Sequence, residues 1–210
     1  MTFDYEINAA FPAPKANNLE KIAAVVDVVD AGCNTGESVA DALDIETREG
    51  SYYGDAAGYL GLVDVVSGEA VKTYHVTAQG YALMSLETTG RVDFLKRIIA
   101  DSPLVQVYAE SGNAGVMDVL THDMEYAEAT AVRRAACIAS WHNQSGNAGL
   151  GALIGATVAG AQSRAVDAAK RAAEVRKARI EAATPTIRSY GTCLECFTQL
   201  PASGSCDCDS

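Results

Sequence analysis

The stretch that decides the fold runs from Ala16 to Val63, ANNLEKIAAVVDVVDAGCNTGESVADALDIETREGSYYGDAAGYLGLV. It reads as three helices separated by two short breaks. Asn18 is the expected N-cap of a first helix with Leu19, Ile22, Val25, Val26 and Val29 at helical spacing, and Gly32 ends it. Thr35 caps a short second helix with Val39, Ala42 and Leu43 inward, and Glu37 sits near its positive end. After the Asp44-Ile45 break, Glu46 opens a third helix that buries Tyr53, Ala57, Tyr59 and Leu60. A short helix, a tight turn and a third helix with polar residues near its start form a helix-turn-helix pattern.

Residues 62–76 predict a winged version of that pattern. Leu62 to Val66 is strand-like, Ser67-Gly68-Glu69 is a turn, and Val71 to Val76 is a second strand-like run. Thr77 then opens another helical turn. A second copy is expected downstream. Phe94 to Leu104 carries Leu95, Ile98, Ile99 and Leu104 as one apolar face, Asn113 caps Ala114 to Leu120, and Glu128 begins a third helix. That helix places Ala131, Ala135, Ile138 and Trp141 inward and Thr130, Arg133, Arg134 and Cys137 on a more polar strip. Arginines so placed suit phosphate or guanine contacts, although a solvated helix face gives the same pattern.

Residues 16–63 resemble an uncharacterised winged-helix domain of restriction-system-associated and phage proteins. The resemblance is carried by Asn17-Asn18-x-Glu20-Lys21-Ile22, Arg48-x-x-x-Tyr52-Tyr53 and Ala56-Ala57-x-Tyr59-Leu60-Gly61-Leu62. Tyr74 to Tyr81 is similar to that domain's wing-to-helix junction, and Thr130 to Trp141 to the third helix of the second winged helix that often accompanies it. The resemblance covers most of residues 16–142 and implies a DNA-binding fold.

The end of the chain carries a separate signal. Cys193-Leu-Glu-Cys196 and Cys206-Asp-Cys208 bracket a Leu200-Pro201-Ala202-Ser203-Gly204 turn, which suits a four-thiolate structural zinc site. It resembles the small zinc-ribbon tails found after such winged helices. The second pair departs from the usual two-residue spacing, so Asp207 or Asp209 is an alternative ligand; disulfides or an unfolded tail are the competing readings. Cys33 and Cys137 lie in helical segments and are expected to be small core residues.

The chain has 210 residues and a net charge of −11, which sits awkwardly with DNA binding. Residues 1–90 hold 4 Lys and Arg against 14 Asp and Glu, a net of −10, whereas residues 91–144, 145–190 and 191–210 carry −2, +4 and −3. The positive charge concentrates in Ala159 to Ala183, a helix-favouring run with Arg164, Lys170, Arg171, Arg176, Lys177 and Arg179. Val166, Ala169, Ala173 and Ile180 mark a narrow apolar line on it, suited to a second copy or to docking within the chain. Before it, Gly151-x-x-x-Gly155 has the spacing of close helix packing, which suits a hinge or an oligomer contact. The apolar stretch there is too short for the roughly 20 residues of a membrane span. His75, His122 and His142 belong to no recognisable catalytic constellation, and no phosphate-cradling loop, nucleophile elbow or metalloprotease motif is present.

The sequence therefore predicts a mainly α protein with small β-hairpin wings. Its expected parts are an irregular arm (1–14), a winged helix-turn-helix domain (15–90), a second winged-helix-like domain (91–144), a Gly/Ala-rich hinge and long basic helix (145–187), and a zinc-knuckle tail (188–210). The expected function is non-catalytic, sequence-specific binding of double-stranded DNA by a cytoplasmic homodimer. Arg48, Ser51 and Tyr52 are the contacts expected on the first recognition helix, and Thr130, Arg133 and Arg134 on the second. Cys193, Cys196, Cys206 and Cys208 would hold structural zinc. The alternative is an interaction protein whose acidic first domain binds or inhibits a protein partner, as a DNA-mimicking phage inhibitor does.

Overall fold

The computed structural model describes residues 13–68 and 71–183. The order is α1 (Leu19–Asp30), α2 (Gly36–Leu43), α3 (Thr47–Tyr59), β1 (Val63–Ser67), β2 (Lys72–Val76), α4 (Ala78–Met84), α5 (Thr88–Ala100), α6 (Pro103–Asp118), a π-helical turn (Val119–Asp123), α7 (Glu128–Ser145) and α8 (Leu150–Ala183). The protein is thus mainly helical, with one antiparallel hairpin among the described residues. It divides into two compact units, Met1–Arg171 and Ala172–Ser210; of the second, residues 172–183 are described, as the end of α8.

Local chemistry sets the first half. The Asn18 side chain accepts from the Lys21 amide and starts α1. Thr35 and Ser38 form a reciprocal capping box at α2, and Asp44 ends it in the left-handed conformation at φ 55°. Thr77 caps α4 by accepting from the Gly80 amide. The hairpin register pairs Val63 with Val76, Val65 with Tyr74 and Ser67 with Lys72. Tyr74 is fully buried beneath α3, and its ring occupies the space a side chain at Gly54 would need, 2.3 Å from an ideal Cβ. The Tyr74 hydroxyl donates to the Ser51 carbonyl at 3.3 Å, and its backbone N–H donates to the Asn34 carbonyl at 2.9 Å. The hairpin is therefore tied to both α3 and the α1–α2 loop.

α1 lies at the centre. Every residue from Ile22 to Val29 is buried, including Asp27 at 4% exposure. A buried carboxylate is stable only if paired. Arg91 of α5 donates to it through Nη1 at 2.7 Å and Nη2 at 3.2 Å, and Gln162 of α8 adds a third donor at 2.8 Å. Arg91 also donates to the Met84 and Leu86 carbonyls.

The second half departs from the expected repeat. Residues 91–144 form helices and one π-helical turn, with no strand and hence no second wing among the described residues. Leu104 belongs to α6 rather than to the preceding helix, because Ser102-Pro103 starts a new helix there with proline at its first position. The expected break before Ala114 is Gly112, at φ 63°, inside α6. The expected hinge at 148–161 is instead continuous helix from Leu150 onward. Leu150, Ile154, Val158, Ala161 and Ala165 form its buried stripe, while Val166 is about half exposed. Gly151 and Gly155 face Val92 and Thr88 of α5, so their small size serves close packing within the chain. No helix among the described residues is long and apolar enough to cross a membrane.

Replacing Arg91 with alanine leaves the Asp27 carboxylate buried with Gln162 alone. Denaturant unfolding should show a loss of about 3–5 kcal/mol, the usual cost of orphaning a buried charge. A loss below about 1 kcal/mol would show that Asp27 gains solvent at little cost.

Candidate functional site

α7 is clasped to the segment preceding α1. The Cys137 thiol donates to the Lys15 carbonyl at 3.1 Å, Trp141 Nε1 to the Ala16 carbonyl at 2.9 Å, and Ser140 Oγ to the Asn17 carbonyl at 3.2 Å. Gln144 bonds to the Asn17 carbonyl and accepts from the Leu19 amide, so one helix face satisfies the whole strap. On the other side, Trp141 packs against Tyr59 of α3 with ring centres 5.9 Å apart. The Tyr59 hydroxyl accepts from Ser102 Oγ at 3.1 Å.

A cavity of about 310 Å³ opens between α3, α7 and the strap, lined by Lys15, Tyr52, Thr130, Arg133, Arg134 and Cys137. Lys15 Nζ sits 4.7 Å above the Tyr52 ring. The Arg134 guanidinium lies 5.4 Å from the Tyr126 ring, and the residue as a whole is 8% exposed. It makes no hydrogen bond or ion pair with any other described residue. Burial pulls its pKa below the usual arginine value, opposed by Tyr126, Cys137 and more distant Asp55. A smaller adjoining cleft of about 60 Å³ reaches Asp55, whose carboxylate is held by Lys72 at 2.8 and 3.0 Å.

Four of the six residues predicted to contact DNA thus converge here: Tyr52 from α3, and Thr130, Arg133 and Arg134 from α7. The other two lie elsewhere. Arg48 is exposed and paired with Glu46 at 2.9 Å. Ser51 packs at the crossing of α2 and α3, where its Oγ would clash with any side chain at Gly36. Lys15 and Tyr126 escape sequence reading, because neither sits in a motif; Lys15 reaches the site through contacts with the distant Cys137 and Tyr52. From Gly50 to Leu60 no residue of the α3 segment is exposed, since α1, α2, the hairpin and the α7 side surround it. The His122 imidazole pairs with Asp118 at 2.9 Å in the open, and His142 stacks with Tyr108 at 5.1 Å. Among the described residues no group of three or more His, Cys, Asp or Glu side chains is placed to hold a metal. Cys193, Cys196, Cys206 and Cys208 lie outside the described residues.

A family model described as a domain of unknown function, DUF7226, matches residues 21–144. The chain belongs to that family. No curated protein and no solved structure matches it. The DUF7226 span runs from early α1 to the end of α7, so it contains every lining residue of the cavity except Lys15.

Burial raises the thiol pKa of Cys33 and Cys137, and burial with Glu49 and Glu20 pushes Tyr53 up to about 12. Each group is held protonated in the folded chain. The thiols' contribution is complete below their unfolded pKa of about 8.5 and is lost as pH rises through the raised folded values. Stability measured by denaturant at pH 7.5 and 9.5 should fall with pH, and a Cys33→Ala/Cys137→Ala variant should lose less over that interval. An unchanged slope would mean that the thiols do not ionise differently on unfolding.

Proposed function

We propose that this DUF7226 protein is a non-catalytic interaction module of winged-helix type whose acidic first half engages a basic partner protein. The α2–turn–α3 unit followed by a hairpin and α4 has the winged-helix order of elements. The observation that carries the choice of partner is the burial of α3. A helix that reads a major groove needs an open face, and here only its first turn, with Thr47 and Arg48, is exposed. The charge agrees, because a net −10 over residues 1–90 of the sequence disfavours phosphate. Glu37 and Asp41 are exposed one turn apart on α2, Asp41 lying 3.8 Å from Arg171, and the exposed Asp44 follows at the helix's C-cap.

Duplex DNA is the second reading, favoured by the exposure of Arg48 and Arg133. A random duplex library separates the two. The expected result is no enriched site and no binding even at low salt, where counterion release favours association most. A palindromic or two-part site, weakened by Arg48→Ala or Arg133→Ala, would overturn the protein-partner reading. In parallel, a nuclease-resistant protein partner retained by the native chain should be lost on Glu37→Lys/Asp41→Lys/Asp44→Lys. Val166, about half exposed on α8, is the apolar residue left to a second copy in this reading.

The tail cysteines belong to the same reading as a structural zinc knuckle at Cys193, Cys196, Cys206 and Cys208, resting on their sequence spacing. Elemental analysis of the purified chain should find zinc near one equivalent, falling below about a tenth of that on Cys193→Ser/Cys196→Ser. Metal-free protein with paired cysteines would reverse the assignment.

A further inference from the structure

We infer that the cavity between α3, α7 and the Lys15 strap is a binding site for a small organic phosphate, anchored by Arg134, Arg133 and Lys15. The site is separate from the acidic side of α2 and does not depend on what binds there.

Arg134 is the central observation. A guanidinium carries five donors in a fixed fork and no acceptor. Among the described residues no fully buried side-chain nitrogen or oxygen lacks a partner, so the Arg134 donors without one are open to the cavity, where an acceptor can reach them. At 8% exposure Arg134 has the Tyr126 ring on one side and no acceptor among the other described residues. A ring centred 5.4 Å from the guanidinium carbon is a cation–π neighbour and not a hydrogen-bond acceptor for the N–H groups. Those groups border the cavity, where an oxyanion can take two parallel bonds from one arginine.

The neighbouring groups extend the same preference. Arg133 uses Nε on the Ala129 carbonyl at 3.1 Å, which orients the side chain and leaves its terminal nitrogens for a ligand. Lys15 has its backbone carbonyl held by Cys137 while its exposed ammonium stands over Tyr52 at the cavity wall. Thr130 supplies a hydroxyl. Among the described residues, the Asp55 carboxylate is held by Lys72 and lines the smaller adjoining cleft, which shares Lys15, Tyr52 and Arg134 with the cavity. Three cations thus face a space without a carboxylate among its lining residues.

Volume selects an organic phosphate over a bare ion. At about 310 Å³ the cavity holds on the order of ten waters at about 30 Å³ each, more than one phosphate group fills. It lies at the lower end of the range for small-molecule pockets. The Tyr52 ring and the Lys15 stem give the remainder an apolar wall for a compact ring or sugar.

Isothermal titration of the full chain with inorganic phosphate, AMP and adenosine at constant ionic strength tests this. Saturable one-to-one binding of phosphate, tighter binding of AMP and none of adenosine are expected. Arg134→Gln should weaken AMP at least tenfold. Lys15→Gln changes an exposed side chain that the fold does not need, so it keeps the test open if Arg134→Gln fails to fold, and it too should weaken AMP several-fold. The proposal is overturned if neither anion binds saturably, if adenosine binds as well as AMP, or if AMP binding is unchanged in Lys15→Gln and Arg133→Gln. Glu37→Lys/Asp41→Lys/Asp44→Lys should leave AMP binding as it is, which separates this site from the partner surface.

Discussion

The fold depends on a carboxylate where a carboxylate is expensive. Asp27 stands in a helix whose every residue from Ile22 to Val29 is buried, and its two oxygens are claimed by Arg91 and Gln162. Those partners come from α5 and α8, far along the chain. Burying the charge is unfavourable unless all three stretches close on it at once. That requirement couples α1 to α5 and to the first half of α8, and through Arg91 to the carbonyls at the end of α4. A hydrophobic residue at position 27 would bury well but would impose no such register.

The position of α7 comes from a second set of directional bonds. Trp141, Ser140, Cys137 and Gln144 satisfy the carbonyls of the strap from Lys15 to Asn17, and the same helix presses Trp141 on Tyr59. Holding α7 beside α3 has two effects. It closes the end of α3 through Trp141 on Tyr59, and it encloses Tyr52 with Arg133 and Arg134. The protein therefore combines an acidic outer surface on α2 with a basic interior cavity. These features favour different ligands.

Much of the first half is legible in the sequence because its determinants are local. The Asn18 cap, the Thr35 capping box, the left-handed Asp44 and the Thr77 cap each depend on a side chain within three residues of the amide or turn it serves. The alternation of Val63 to Val76 around Ser67-Gly68 is local in the same sense. The second half is less legible. Gly112 breaks α6 near the expected place, but apolar spacing assigns Leu104 to the wrong helix because it does not see Ser102-Pro103 as a start. The glycines at 151 and 155 are open to two readings, since flexibility and close packing look alike until a partner is known. That partner is Thr88 and Val92 of the same chain.

Sequence by itself determined the helical character, the three helices before the hairpin, the caps, the acidic first half and the clustering of cysteines at the end. These arise from backbone propensity and from charge, which act over a few residues or simply add along the chain. Tertiary structure decided which surfaces remain available. It buried α3, turned an expected hinge into a docked helix, and drew Lys15, Tyr52 and Arg134 around one cavity across more than a hundred residues of chain. Such choices rest on the pairing of buried polar groups between distant segments, and periodicity within one segment carries no information about them.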